Sequence, residues 1–268
     1  MSHLIEDFEV ASAVVRSAPL SFNAEIPDEW QQGRGAFGGL SLAILARSME
    51  QVVDDEAREL RSLSGEIPAP VLTGPVQVEV NELRKSGSVS TLSARLIQNG
   101  EVVAHATGVF AKSRPVDLSW SKNSPEIPAY ESARSIQIEP PAGPAFARHF
   151  EFRPTGPLPF SQHRAPITEG WVRTRRPLNR LGAPEVIAYA DAWWPCVFSI
   201  ESAPRPMGTV SFAVQLHGSL STLSPTDALF HRAKAMTVAD GFSIEHRELW
   251  SANGTLVALN QQVFVLIK

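Results

Sequence analysis

The chain has 268 residues, enough for two ordinary domains with cores of their own. At 43% hydrophobic and 19% charged it is composed as a globular protein, and its net charge of −4 supplies no basic field for nucleic acid. The single cysteine, Cys196, excludes a disulfide framework and a thiolate metal cluster and suits a reducing, cytoplasmic setting, while no uncharged apolar run reaches the roughly 20 residues of a membrane helix.

The start of the chain, Met1 to Val15, carries Glu6, Asp7 and Glu9 without a basic segment, which is not the pattern of a secretory signal. Pro19 to Ile26 reads as a short strand. Gly33 to Gly39 is glycine-rich and delivers the chain into a helix, Leu40 to Val53, whose first turns have no polar stripe. A helix apolar all round is expected to be buried all round. Two long hairpin arms follow, Val76 to Leu83 and Val89 to Gln98, then Glu101 to Ala111. Residues 114–146 are polar and punctuated by Pro115, Pro125, Pro128, Pro140, Pro141 and Pro144, a crossing linker laid on the surface. Beyond it the order repeats. Arg148 to Arg153 and Gly170 to Arg176 read as strands, Pro184 to Ala192 as a helix, and Thr209 to His217, Leu229 to Thr237, Ser243 to Trp250 and Thr255 to Ile267 as strands. The predicted division is therefore 1–113, 114–146 and 147–268. The predicted class is α+β, an antiparallel sheet curled about a buried helix, built twice.

The duplication is written in the sequence. Asn99-Gly100-Glu101-Val102-Val103-Ala104 returns as Asn253-Gly254-Thr255-Leu256-Val257-Ala258, an offset of 154 that Gly87 and Gly241 share. Each phrase is an Asn-Gly hairpin signal running into an alternating strand. Alternation puts Val102, Ala104, Ala106, Gly108 and Phe110 on one face, all apolar or small. The matching face of the second copy is Leu256, Ala258, Asn260, Gln262 and Phe264, so two amides point into an interior that is dry in the first copy. The second helix carries the same anomaly, because Asp191 is the one carboxylate in an otherwise apolar Val186 to Trp194. A buried acid must be hydrogen-bonded, hydrated or neutral. Beside amides and water it is a candidate catalytic group; the purely structural alternative is that Asp191 ties down a helix end near Pro195 while Gln262 satisfies a backbone group.

Gly35-Ala36-Phe37-Gly38-Gly39, Gly170-Trp171-Val172-Arg173, Ala190-Asp191-Ala192-Trp193-Trp194-Pro195, Ser211-Phe212-Ala213-Val214-Gln215-Leu216-His217 and Gln262 form an ordered set. In this order they resemble the double-hotdog acyl-CoA thioesterases of the bacterial thioesterase II-like group, over nearly the whole chain. The resemblance implies two hotdog domains, an acyl-CoA substrate, and no cofactor or metal. It implies hydrolysis of the thioester by a water held between a helix aspartate, a strand hydroxyl and a final-strand glutamine. These map onto Asp191, onto Thr209 with Ser211 as alternate, and onto Gln262. Alternation of Val210, Phe212, Val214 and Leu216 turns both hydroxyls away from the core; only a bulge or a strand-end position brings Thr209 inward.

Other signals carry less. Gly33-Arg34-Gly35-Ala36-Phe37-Gly38 matches a dinucleotide fingerprint but lacks the preceding strand and the following acid, so a tight turn into the helix is expected. Arg173, Arg175, Arg176 and Arg180 read either as a contact for CoA phosphates or as a solvated face. The seven histidines show no metal spacing, and Cys196 has no evident histidine base. Two copies can close their sheets side by side in one chain, and the remaining edges leave room for self-association as a dimer. The rivals are a hotdog enoyl-thioester hydratase or dehydratase, which calls for a histidine near Asp191, and a non-catalytic acyl or lipid carrier.

Overall fold

The structure, a computed structural model, describes residues 7–267; the first residues of the acidic start, Met1 to Glu6, and Lys268 lie outside them. In chain order the elements are α1 (Phe8–Ala11), β1 (Val15–Ala18), β2 (Ser21–Ile26), β3 (Gln31–Gln32), β4 (Gly35–Ala36), α2 (Gly38–Val53), β5 (Arg58–Glu66), β6 (Gly74–Lys85), β7 (Val89–Gln98) and β8 (Glu101–Lys112). The second half follows with β9 (Phe150–Pro154), β10 (Ile167–Thr174), α3 (Ala183–Ala192), β11 (Met207–Leu216), β12 (Leu229–Ala239), β13 (Phe242–Trp250) and β14 (Leu256–Leu266).

Twelve of the strands form one antiparallel sheet in the order β1-β2-β6-β7-β8-β5-β11-β14-β13-β12-β10-β9. Read from either end this is the same pattern, so β5 and β11 are twin strands that meet at the centre. Their pairing, Phe212 with Gly65 and Val214 with Leu63, fuses the two sheets and removes two edges. Helices α2 and α3 pack on each other inside the curl, and one continuous core covers both. All ten residues of α3 and most of α2 are buried, as their lack of a polar stripe requires.

Strand β5 is absent from the sequence reading. Its only buried large apolar residues, Leu60 and Leu63, stand three apart because the register shifts at Arg61, which breaks the period-2 signature. Two further expectations are corrected by bulges and loops. Val102 is exposed, because a bulge at Val103 turns Val103 and Ala104 inward; the twin bulge at Val257 displaces Leu256. Asn99 and Gly100, at φ 53° and 82°, form the two-residue turn expected of them, whereas Asn253 and Gly254 belong to a longer loop closed by the Ser251 N–H on the Thr255 carbonyl at 2.9 Å. In the second half the tight turn is Asp240-Gly241, at φ 53° and 79°. Gly87 is therefore not the structural twin of Gly241. The register gives an offset of 153 through β6, β7 and their twins, and 154 only for β8 and β14.

The linker is laid on the surface and anchored there. Ile127, Tyr130 and Ala133 pack with Trp171, Phe230 and Trp250 on the outer face of the second half. The Trp171 indole donates to the Pro128 carbonyl at 3.1 Å. Glu151 accepts from the Tyr130 hydroxyl, Arg153 and Arg173, which together hold its carboxyl down at about 2 despite burial. Arg173 is thereby spent on the strap, while Arg175, Arg176 and Arg180 remain exposed.

Candidate active site

Asp191 occupies the last turn of α3, and its carboxylate reaches the first turn of the other helix. Its Oδ2 accepts the Gly39 N–H of α2 at 2.7 Å. The start of a helix offers unpaired N–H groups and a partial positive charge, so a carboxylate there is stabilised. Glycine makes the approach feasible. A Cβ on Gly38 would lie 2.9 Å from Asp191 Oδ2 and 3.1 Å from Ile67 Cδ1; one on Gly39 would lie 3.0 Å from the Ala188 Cα. Burial pushes the Asp191 carboxyl above its ordinary range. The Arg247 guanidinium, the Gly39 N–H and the Gln262 amide oppose that rise, and Glu245 adds to it.

Gln262 is fully buried and stands on the inner face of β14, opposite Phe212 of β11 and Glu245 of β13. Its Nε2 donates to Asn260 Oδ1 at 2.9 Å, and its Oε1 has no partner among the described residues. Asn260, read in the sequence as a second donor towards the acid, instead gives its amide to the Ala213 carbonyl at 2.9 Å and orients Gln262.

Thr209 faces inward. The register of β11 shifts at Val210, so Thr209 stands opposite Phe264, and directly opposed residues in an antiparallel pair share a face. The twin strand has the same bulge, since β5 shifts at Arg61 and sets Leu60 opposite Phe110. Ser211, opposite Val263, is on the outer side. The Thr209 hydroxyl makes no side-chain hydrogen bond to Asp191 or Gln262.

The duplication serves as its own control. On the register, Leu60, Leu92, Ala94, Ala106 and Gly108 of the first half correspond to Thr209, Glu245, Arg247, Asn260 and Gln262 of the second. The helices differ in the same sense: nine residues past the cap, α2 has Ala46 where α3 has Asp191. Six positions that are apolar or lack a side chain in one half are polar in the other. Sequence reasoning missed Glu245 and Arg247. The constant offset of 154 sets them against Thr91 and Ser93, which face outward, instead of Leu92 and Ala94.

Glu245 and Arg247 form a buried pair, 2.8 Å between Arg247 Nη2 and Glu245 Oε2. Arg247 Nη1 donates to the Ala190 and Trp193 carbonyls at 3.0 and 3.3 Å, and Glu245 Oε1 accepts the Cys196 N–H at 2.6 Å. The pair therefore clamps the end of α3 that carries Asp191. His231 is fully buried, hydrogen-bonds Thr168 Oγ1 at 3.2 Å and stacks on Trp193; burial, with Arg247 near, keeps it neutral. It is not a partner of Asp191, and among the described residues no histidine hydrogen-bonds that acid as an Asp–His pair of the hydratase kind would require. The Cys196 thiol is buried and pushed well up, a core group. Among the described residues no group of three or more His, Cys, Asp or Glu side chains is disposed to hold a metal ion, and no helix is long and apolar enough to cross a membrane.

Two curled sheets, each about a buried helix and joined edge to edge, define a double-hotdog protein. The sequence matches the acyl-CoA thioesterase N-terminal domain over residues 26–111 and the acyl-CoA thioesterase C-terminal domain over residues 123–266. The chain belongs to this family and is a thioester hydrolase. Solved structures agree on the fold. A conserved hot-dog protein of unknown function from Alicyclobacillus acidocaldarius superposes with a TM-score of 0.90 at 24% identity, over 97% of this chain and 98% of that one. The tesB protein of Mycobacterium avium subs paratuberculosis gives 0.80 at 18%, and the acyl-CoA thioesterase II TesB2 of Mycobacterium marinum 0.78 at 16%, each over 97% of this chain and 98% of the other. No curated protein matches the sequence.

Proposed function

We propose that the chain hydrolyses acyl-CoA thioesters with a water activated by Asp191 and oriented by Gln262. The observation that carries this reading is the presence in one interior of a buried carboxylate, Asp191, and a buried glutamine acceptor, Gln262 Oε1, that has no partner among the described residues. A buried acceptor left unpaired by the protein costs free energy unless water or substrate completes it.

In the proposed reaction Asp191 takes a proton as the water oxygen attacks the thioester carbonyl carbon. The carbonyl electrons move onto oxygen near the start of α2, whose partial positive charge favours the developing anion while the Gly39 N–H stays on Asp191. Collapse of the adduct breaks the carbon–sulfur bond, and the proton held by Asp191 returns to the thiolate leaving as CoA. Gln262 Oε1 accepts from the water, and its Nε2 is held by Asn260. Thr209, inward on β11, is the hydroxyl that assists. The raised pKa of Asp191 suits a base, since a carboxylate closer to neutrality takes a proton more readily.

Thiol release from a panel of acyl-CoA substrates tests the reading on wild type and Asp191→Asn. Asparagine keeps an oxygen for the Gly39 N–H, so the variant should fold while kcat falls by roughly 10²–10⁴. Wild-type turnover in the variant removes Asp191 from the chemistry. A wild type that releases no thiol above background at any chain length sinks the hydrolase reading in favour of a carrier.

A further inference from the structure

One end of the second half departs from the first half in the opposite sense to its interior. In the first half Arg58 stands opposite Lys112, and Lys85 opposite Ser90. The same register positions in the second half are Met207 opposite Leu266, and Val238 opposite Ser243. Three cations are replaced by three apolar side chains. Arg58 plugs its end of the first half, donating to Ser90 Oγ at 2.9 Å and to the Ser86 and Gly87 carbonyls at 2.7 and 3.1 Å. In the second half Ser243 is fully buried and its hydroxyl has no partner among the described residues. Met207 and Leu266 are half-buried, and Val238 is 42% exposed although it pairs with an inward residue. The inner face of β14 runs from Gln262 through Phe264 to Leu266, about 13 Å along the strand.

An end with apolar side chains at the three positions where the first half carries cations, continuous along β14 with a polar reaction centre, is a surface for a hydrocarbon chain. We propose that this end holds the acyl tail of the thioester and that Met207 sets the preference for chain length, an inference that rests on the Asp191–Gln262 reading above. A tail leaving the carbonyl beside Gln262 lies along Phe264 and reaches Met207, Val238 and Leu266. An acetyl group stays at the reaction centre and touches none of them. Each methylene buried there is worth about four-fold in kcat/KM.

Two variants test the assignment. Met207→Arg restores the residue of the first half at its twin position, with the Ser243 hydroxyl placed to accept from it as Ser90 does from Arg58; Met207→Trp fills the same space without charge. Thiol release is compared for acetyl-, hexanoyl- and dodecanoyl-CoA. The expected result is a loss of roughly ten-fold or more in kcat/KM for dodecanoyl-CoA in both variants, with acetyl-CoA changed by less than about three-fold. An unchanged chain-length profile in both variants overturns the subsite, and so does an equal loss at every chain length. Wild-type protein inert towards every acyl-CoA removes the hydrolase reading itself, and the subsite with it.

Discussion

Arg247→Ala is expected to be the most destabilising single truncation in the second half's interior. Arg247 is 1% exposed and Glu245 fully buried, so the substitution leaves a carboxylate in the core without its cation. It also strips the Ala190 and Trp193 carbonyls of their donor. Breaking one partner of such a pair costs about 3–5 kcal/mol. At about 2–4 °C per kcal/mol for a chain of this size, Tm falls by roughly 6–20 °C. Glu245→Leu should cost a similar amount by stranding the guanidinium. The double variant Glu245→Leu/Arg247→Ala recreates the Leu92 and Ala94 of the first half, which need no charge at all. It still leaves the Cys196 N–H and two carbonyls unpaired, at about 1–3 kcal/mol each where they stay buried. Those unpaired groups are already counted in the singles, whereas the stranded charge is present only in the singles, so the double variant should be less destabilised than their sum, with a coupling of at least about 2 kcal/mol by urea denaturation. Additive losses, or an Arg247→Ala cost below about 0.5 kcal/mol, would refute the claim that the two charges exist for each other in the core.

Asp191→Asn should raise Tm at pH 8 over wild type. Burial and Glu245 raise the folded pKa, while Arg247 of β13, Gly39 of α2 and Gln262 of β14 only oppose that rise, so the ionised acid costs stability as pH rises through the folded pKa; the gap should close as pH falls to the ordinary carboxylate range. By the same sign, wild-type kcat should fall as pH drops through that raised pKa. Gly39→Ala places a methyl 3.0 Å from the Ala188 Cα and 2.4 Å from Phe37 Cζ; forcing the two helices apart should cost about 1–3 kcal/mol and lower kcat together with Tm. Thr209→Val keeps shape and removes the hydroxyl, so kcat should drop by about ten-fold with Tm nearly unchanged, whereas full activity would return Thr209 to a packing role.

Much of this was legible in the residues, and the failures share one cause. The buried helices were visible because Leu40 to Ala46 and Val186 to Ala190 offer no polar stripe. Asp191 and Gln262 stood out because each interrupts a pattern that the other copy leaves intact. What escaped turns on single-residue shifts in register. The bulge at Arg61 disguised β5, and with it the seam that joins the halves. The bulge at Val210 turned Thr209 inward, against alternation. One residue more between the paired positions Trp250 and Leu256 than between their twins Ile97 and Val102 moved Glu245 and Arg247 off their true counterparts. A side-chain period of two makes each slip of one residue exchange the two faces, so a repeat found by eye with one fixed offset is right only between bulges.

The same twin comparison explains why two halves carry one candidate site. Asp191 comes from α3, but the amide it holds and the glycine that lets it approach come from α2 of the first half. The pseudo-symmetric position has neither component. Two residues past the cap, α3 has Pro184, which has no N–H to give where α2 has Gly39, and Ala46 replaces the acid. The space is taken instead by an internal arrangement, in which Glu185 accepts the Gly182 N–H at 2.8 Å and pairs with Arg47. One half has an open helix start and no acid; the other has the acid and a helix start closed by proline. Each change removes a requirement from one site only because the other half retains it, so neither half alone can assemble the acid, the amides and the helix terminus together.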